Sequence, residues 1–308
     1  MSWLTNFVRP TLRRWISPRV LREAQWVTCP KCGATVFHRD LDANWRICPH
    51  CDHHLTLSAA RRFDLLLDAE SWARIEIPGA PADPLKFRDA RRYGERLKEA
   101  AAQSREAEAV AVAHGRIDGR GAVIAAFEPH FLCGTAGAAA GEAVVAAAEL
   151  AVLQDAPLLV VTGSQGPRIP DGAFALLQLP RVILALRKVA ERNLPLIVVL
   201  ADPAFDPISE ALLQQADVVL AEPEARLGPP PADPFAPMDT PAFLAPRGGV
   251  VGAAAARRRG RIDRIADRRD IKAEIAAILD ILCRPFPSAT ILAYPGQETK
   301  LIDAAPDA

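Results

Sequence analysis

Four of the six cysteines stand as two pairs, Cys29-Pro-Lys-Cys32 and Cys48-Pro-His-Cys51, with residues 33–47 between them. Each Cys-x-x-Cys knuckle turns tightly enough to aim two thiolates at one ion, and two knuckles at this separation match a structural zinc ribbon. Four thiolates complete a tetrahedron and leave no open position, so the expected zinc at Cys29, Cys32, Cys48 and Cys51 holds structure and activates no water. Two disulfides would need an oxidising compartment, to which nothing in the chain points. A redox pair would need a single Cys-x-x-Cys inside a βαβ pattern, and here there are two pairs and no such pattern. With four thiolates on hand, His50, His53 and His54 are expected to be exposed ribbon residues. Cys133 and Cys283 are expected to be buried small apolar side chains.

Other reactive constellations are scarce. No Ser/His/Asp set, no carboxylate pair and no phosphate-binding P-loop is legible. His130 stands by itself and reads as structural. The run Arg257-Arg-Arg-Gly-Arg261, with Arg264, Arg268 and Arg269, is the strongest local charge. It reads as a solvated face, with phosphate binding as the alternative.

The elements that must position these residues follow from periodicity. Residues 26–56 form the ribbon, with Thr35–His38 and Asn44–Ile47 expected as its two short strands. Ser58 caps a helix to Leu67 whose Phe63, Leu66 and Leu67 share one face. A Pro- and Asp-rich loop, Pro78–Pro84, leads to a charged, solvated helix over Asp89–Arg105. Val110–His114 and Gly121–Glu128 are paired strands around an Asp118-Gly119 turn. Helices over Gly141–Leu153, Gly172–Asn193 and Ile208–Gln215 then alternate with strands Leu158–Thr162, Leu196–Leu200 and Val218–Ala221. The strands are continuous apolar runs, as expected when both faces are covered, and the alternation implies an α/β fold with crossover helices. Pro density over 223–247 excludes regular helix or central strand. A last helix spans Asp270–Leu282, and residues 283–308 form a flexible tail.

The chain has 308 residues, enough for one large domain with a small appendage. Its 37 Lys and Arg balance 37 Asp and Glu, which argues against an all-over polyanion binder. No apolar run reaches the roughly 18 to 20 residues of a spanning helix. Residues 1–25 form a basic lead-in without the apolar core of a signal peptide, so the expected location is cytoplasmic.

A four-Cys ribbon followed by this α/β pattern resembles the β subunit of bacterial acetyl-CoA carboxylase carboxyltransferase. The opening Met1-Ser-Trp-Leu, the trailing Cys51-Asp-His-His-Leu, and Asp83-Pro-Leu-Lys-Phe-Arg-Asp89 with Tyr93 and Leu97 all stand in that family's register. So do Phe127-Glu128, the Gly134-Thr-Ala-Gly137 turn with Gly141, Pro195 to Pro203, Ala221-Glu-Pro223 and Gly260-Arg-Ile-Asp263. The resemblance implies a crotonase-like fold of ββα units and transfer of a carboxyl group from carboxybiotin to acetyl-CoA, giving malonyl-CoA for fatty acid synthesis. It implies as partners an α-like subunit in an α2β2 assembly and a biotin carboxyl carrier protein. A thioester enolate formed there needs backbone N–H groups at helix N-termini, and the turns that would border acetyl-CoA or another acyl-CoA contribute Gly134, Gly137, Ser164, Gly166 and Arg168.

Two turns depart from the family pattern. Its Ser-Gly-Gly-Ala-Arg is Ser164-Gln165-Gly166-Pro167-Arg168 here, and its Gly-Gly-Val is Asp206-Pro207-Ile208. Pro207 has no N–H to offer, Asp206 brings negative charge, and losing one oxyanion donor costs about 2.7 to 4 kcal/mol. A second reading is therefore a paralogue that keeps fold and zinc and acts as a structural or regulatory subunit. A third is a zinc-ribbon nucleic-acid binder using Lys31, Arg39, Trp45, Arg46 and the Arg cluster, which the charge balance disfavours.

Overall fold

The computed structural model describes residues 25–77, 83–230 and 249–283. Residues 1–24 of the basic lead-in, 78–82 of the Pro- and Asp-rich loop, 231–247 of the Pro-rich segment, and 284–308 of the tail lie outside the described residues.

The ribbon opens with an antiparallel pair, β1 (Trp26–Thr28) and β2 (Thr35–Phe37), whose connection carries the first knuckle. Gly33, at φ +71°, lets the chain reverse immediately after Cys32. A short helix, α1 (His38–Ala43), follows. The expected strand over Asn44–Ile47 is absent: Trp45 and Arg46 both sit at positive φ, which breaks any extended run, and Ile47 makes only one bridge, to His54.

Helix α2 (Ala59–Leu66) starts where expected, with the Ser58 hydroxyl accepting from the Arg61 N–H. After β3 (Ala73–Ile75), helix α3 (Tyr93–Ser104) begins four residues later than expected. It is solvated except for buried Tyr93 and Ala100. Then come β4 (Val110–Ile117), β5 (Arg120–Phe127), α4 (Ala138–Gln154), β6 (Leu158–Ser164), α5 (Ala173–Glu191), β7 (Leu196–Ala204), α6 (Pro207–Gln215) and β8 (Val218–Ala221). The Pro-rich segment is not wholly irregular, because β9 (Arg226–Leu227) lies within it and pairs with β10 (Val251–Gly252). Helix α7 (Ala253–Arg258), β11 (Arg264–Ile265) and α8 (Ile271–Leu282) complete the described chain.

Among the described residues the main sheet has nine strands, with β10-β9-β7-β6-β5-β4-β3 in a row and β8 joining β7 to β11. β3, β4 and β5 are antiparallel; β5, β6, β7 and β8 are parallel. Successive side chains of each parallel strand enter different cores. Val123, Ala125, Leu158, Val160 and Val198 pack under α4 and α5, while Ile124, Ala126, Leu159, Val161 and Val199 pack under α2 and α8. This is why those strands read as unbroken apolar runs. Close approach of α4 to α5 depends on Gly141, where an added Cβ would stand 2.3 Å from the Gln178 Cβ. No helix among the described residues is long and apolar enough to cross a membrane.

Candidate functional site

The four predicted ligands converge. The Sγ atoms of Cys29, Cys32, Cys48 and Cys51 lie within 4.8 Å of one another. Cys29 and Cys51 are 3.7 Å apart, and Cys32 and Cys48 3.8 Å. Four sulfurs at Zn–S distances near 2.3 Å define a tetrahedron with edges of about 3.8 Å, close to the two separations found here, so this donor set fits zinc. Loss of hydration pushes the Cys51 thiol up to about 12, a state that a bound dication would reverse.

The ribbon does not stand free. Arg268, expected on a solvated face, is fully buried. Its Nη1 donates to the Trp45 carbonyl at 2.8 Å and the Leu55 carbonyl at 2.9 Å, and its Nε and Nη2 bind Glu222 at 2.8 and 2.6 Å. Arg62 binds the other side of Glu222. Burial alone would raise the Glu222 carboxyl, but the two guanidiniums hold it well below the usual range. Of the rest of the run, Arg257, Arg258 and Arg259 are exposed as expected, while Arg261 pairs with Glu210, Arg264 with Glu274, and Arg269 with Asp267 and Asp52. His54, expected to be exposed, is buried beside Glu222 and Asp267, and His53 is half-buried against Glu224, which also binds Lys31 at 2.5 Å. Only His50 is exposed as expected.

Between the ribbon and the carboxyl ends of β5, β6 and β7 lies a cavity of about 540 Å³. Val27 and His53 form part of its ribbon wall; Phe127, Thr162, Gly163 and Asp202 form part of its sheet wall. Open α/β sheets bind ligands at this end of their strands, because loops and helix N-termini converge there. The Thr162 hydroxyl is buried behind this wall with no protein partner. A second cavity, about 440 Å³, lies beside α3 and shares Pro129 and His130 with the first. His130, read as structural, has a partner: its Nδ1 is 2.6 Å from Glu128, whose side chain is buried. Cys133 lines the second cavity half-buried, and Cys283 is likewise half-buried at the end of α8, so neither is the fully buried residue expected.

The two glycine-rich turns come together as one zipped unit. Ala136 N donates to Gly166 O, Arg168 N to Ala136 O, and Gln165 N to Cys133 O. Gly134, at φ +66°, passes so close to β6 that a Cβ there would lie 2.1 Å from the Gly163 carbonyl oxygen. Arg168 is fully buried behind the unit, bound to Glu108 and to the Thr135 carbonyl at 2.7 Å. These contacts brace the Gly134–Gly137 turn from within. Gln165 is also buried, and neither polar atom of its side chain has a protein partner.

Two helix N-termini carry a carboxylate of the chain itself, α4 after the Gly134–Gly137 turn and α6 after β7. Asp171 accepts from the first amide of α4, Ala138 N, at 2.7 Å. Asp206 caps α6, accepting from Ser209 N at 2.9 Å and bound to the Ser209 hydroxyl at 2.5 Å, with Pro207 in the first turn. Asp-Pro is a strong helix-start pair, since the carboxylate accepts an orphan amide and proline gives up none that was needed. Burial pushes the Asp206 carboxyl up.

Sequence comparisons agree with this architecture. Residues 26–51 match the acetyl-CoA carboxylase zinc finger domain family, and residues 58–205 match the carboxyl transferase domain family. The acetyl-coenzyme A carboxylase carboxyl transferase subunit beta of Granulibacter bethesdensis is 42% identical over 282 residues, covering 92% of this chain and 91% of the relative. This chain belongs to that subunit family. The Gluconobacter oxydans member is 39% identical, covering 92% of this chain and 97% of its own. Among solved structures, a Pseudomonas malonate decarboxylase hetero-dimer superposes with a TM-score of 0.52 at 24% identity, covering 72% of this chain and 85% of that one. Transcarboxylase 12S gives 0.53 at 23%, covering 73% and 41%. These likenesses show the crotonase-like fold; the carboxyl transferase family rests on the sequence matches.

Proposed function

We propose that this chain is the β-type half of a carboxyltransferase that accepts a carboxyl group from carboxybiotin on a carrier protein and places it on acetyl-CoA, yielding malonyl-CoA in the cytoplasm. The observation that carries this reading is 42% identity along 92% of the chain to a subunit of that name, together with four convergent cysteine ligands. The zinc holds the ribbon over the cavity and takes no part in bond-making.

In this reading the cavity under the ribbon receives the acyl-CoA; Gly134, Gly137, Ser164 and Gly166 are buried and do not line it, so the turn unit shapes the wall that Gly163 presents. Arg168 serves as a positioning residue, because its donors are spent on Glu108 and Thr135. An α-like subunit completes the site in an α2β2 assembly. Support for a partner comes from α5, which leaves Phe174, Leu177 and Leu184 exposed at helical spacing, with Leu176 and Ile169 beside them. Exposed apolar patches of this kind mark protein contacts.

The test is malonyl-CoA-dependent carboxylation of biotin by the chain with and without its cognate α-like subunit. Turnover only in the pair is the expected result. Tight acyl-CoA binding with no turnover in the pair would replace this reading with a structural or regulatory role, the consequence that the Asp206-Pro207 cap would then carry.

A further inference from the structure

Glu128 directly follows β5 with its side chain buried, and three N–H groups converge on it: Ala59 N at 2.9 Å, His130 N at 2.9 Å and His130 Nδ1 at 2.6 Å. These bonds occupy both carboxylate oxygens and fix Glu128 against α2 and against its own turn. A ring nitrogen facing a carboxylate carries the proton, so Nδ1 donates and Nε2 keeps its lone pair. The His130 side chain is 49% exposed and lines both cavities, four residues ahead of Gly134. A histidine held by an interior carboxylate, with its free nitrogen at a cavity, has the geometry of a general base and acid.

We infer that His130, oriented by Glu128, is the proton-transfer group of the carboxyl transfer. The inference rests on the function proposed above and adds a residue role to it. As the acyl-CoA methyl C–H bond breaks, the proton passes to Nε2 and the electron pair enters the enolate. The enolate carbon then bonds to the carboxyl carbon while the bond from that carbon to the ureido nitrogen of biotin breaks. The nitrogen keeps that pair and takes the proton from the imidazolium. No net proton is gained or lost, and Glu128 offsets the ring's transient positive charge.

The other charges facing His130 are already paired. On the α3 side, Arg96 binds Asp89 and Glu99 binds Arg91. Across the larger cavity, Arg62 and Arg268 share Glu222, Arg226 holds Asp202, and Glu224 holds Lys31 and His53. His54 faces Glu222 and Asp267.

The experiment uses the complex with the cognate α-like subunit and compares wild type with His130→Asn. Two reactions are followed: biotin carboxylation from malonyl-CoA, and deuterium uptake from D2O into the methyl of acetyl-CoA with no biotin donor present. The expected result is a kcat lower by on the order of 10²–10⁴, with KM for the acyl-CoA changed about threefold or less. Methyl exchange should be lost, while zinc content and circular dichroism stay unchanged. His130→Gln, at the same exposed position, repeats the test should Asn disturb the turn. A variant kcat within about threefold of wild type, or retained methyl exchange, overturns the inference while leaving the carboxyltransferase reading intact. A wild-type complex that neither carboxylates biotin nor exchanges the methyl protons overturns both.

Discussion

The ribbon buries Cys29, Val36, Leu41, Cys48 and Leu55, two of them metal ligands, whereas the sheet buries a separate apolar layer on each face. So small a cluster cannot offset the entropy of ordering its own chain, and such modules depend on a metal or on docking to a neighbour. Here both devices operate. The four thiolates close the ribbon on itself, and Arg268 and Lys31 tie it to the end of the sheet through Glu222 and Glu224. The sheet needs neither, because its strands are covered on both sides. The cavity lies where the two regimes meet, so its shape depends on charge pairing on one wall and on apolar packing on the other.

The largest test of this contrast is metal removal. Structural zinc contributes about 10–16 kcal/mol to small zinc-binding folds. Chelation, or Cys48→Ser, is therefore expected to unfold residues 26–51 while the sheet keeps its circular dichroism signal. Limited proteolysis with metal analysis reads the outcome, and cooperative loss of both regions would break the comparison. Second in size is Glu222→Gln, which strands Arg62 and Arg268. Removing one partner of a buried ion pair typically costs about 3–5 kcal/mol, measurable by urea unfolding. The folded Glu222 carboxyl lies below its unfolded value of about 4.3, so its contribution is complete above that pH and is lost as pH falls through the folded value. The gap between wild type and variant should accordingly narrow in acid.

The α/β order, the Asp118-Gly119 hairpin, the Ser58 cap and the metal ligands were all legible in the sequence, because each rests on a local pattern: period, turn chemistry or ligand spacing. What escaped depends on distant partners. Arg268 is one arginine in a run of many, and nothing in its neighbours along the chain marks it as the one that Glu222 draws inward. His130 looked isolated because its carboxylate, two residues back, read as the end of a strand. Strands β9, β10 and β11 have two residues each, too few for any periodicity to register. Asn44–Ile47 alternates like a strand, yet Trp45 and Arg46 take left-handed backbone so that the second knuckle can turn back.

A smaller effect is expected on the packed side. Gly141→Ala places a Cβ 2.3 Å from the Gln178 Cβ at the α4–α5 crossing. Overpacking of this sort costs about 1–3 kcal/mol, and thermal unfolding should register it without change in zinc content. Gln178→Ala in the same chain should recover part of the loss, since it removes the atoms beyond Cβ that crowd the helix; no recovery would mean that the Gln178 Cβ, which alanine keeps, sets the clash.

The smallest effect sharpens the comparison most, because it sets one buried carboxyl against another. Asp206 and Glu222 are both interior, but Glu222 has two guanidiniums, whereas Asp206 is held by the neutral Ser209 and Ser164 hydroxyls and nearby amides. Burial therefore wins at Asp206, and its carboxyl sits above the unfolded value of about 3.9. A raised carboxyl contributes its stability below the unfolded value and loses it as pH rises toward and through the folded one, the opposite sign to Glu222. Asn caps a helix about as well as Asp, so Asp206→Asn keeps the bond from Ser209 N and removes the titration. At neutral pH that variant should match wild type or exceed it by up to about 1 kcal/mol, while Asp206→Ala, which loses the cap, should fall by about 0.5–2 kcal/mol. Urea unfolding between pH 4 and 8 decides the matter: an Asn variant that loses stability relative to wild type as pH rises would mean that the carboxylate is charged and held by a partner, and that the start of α6 is an anion site already filled by the chain.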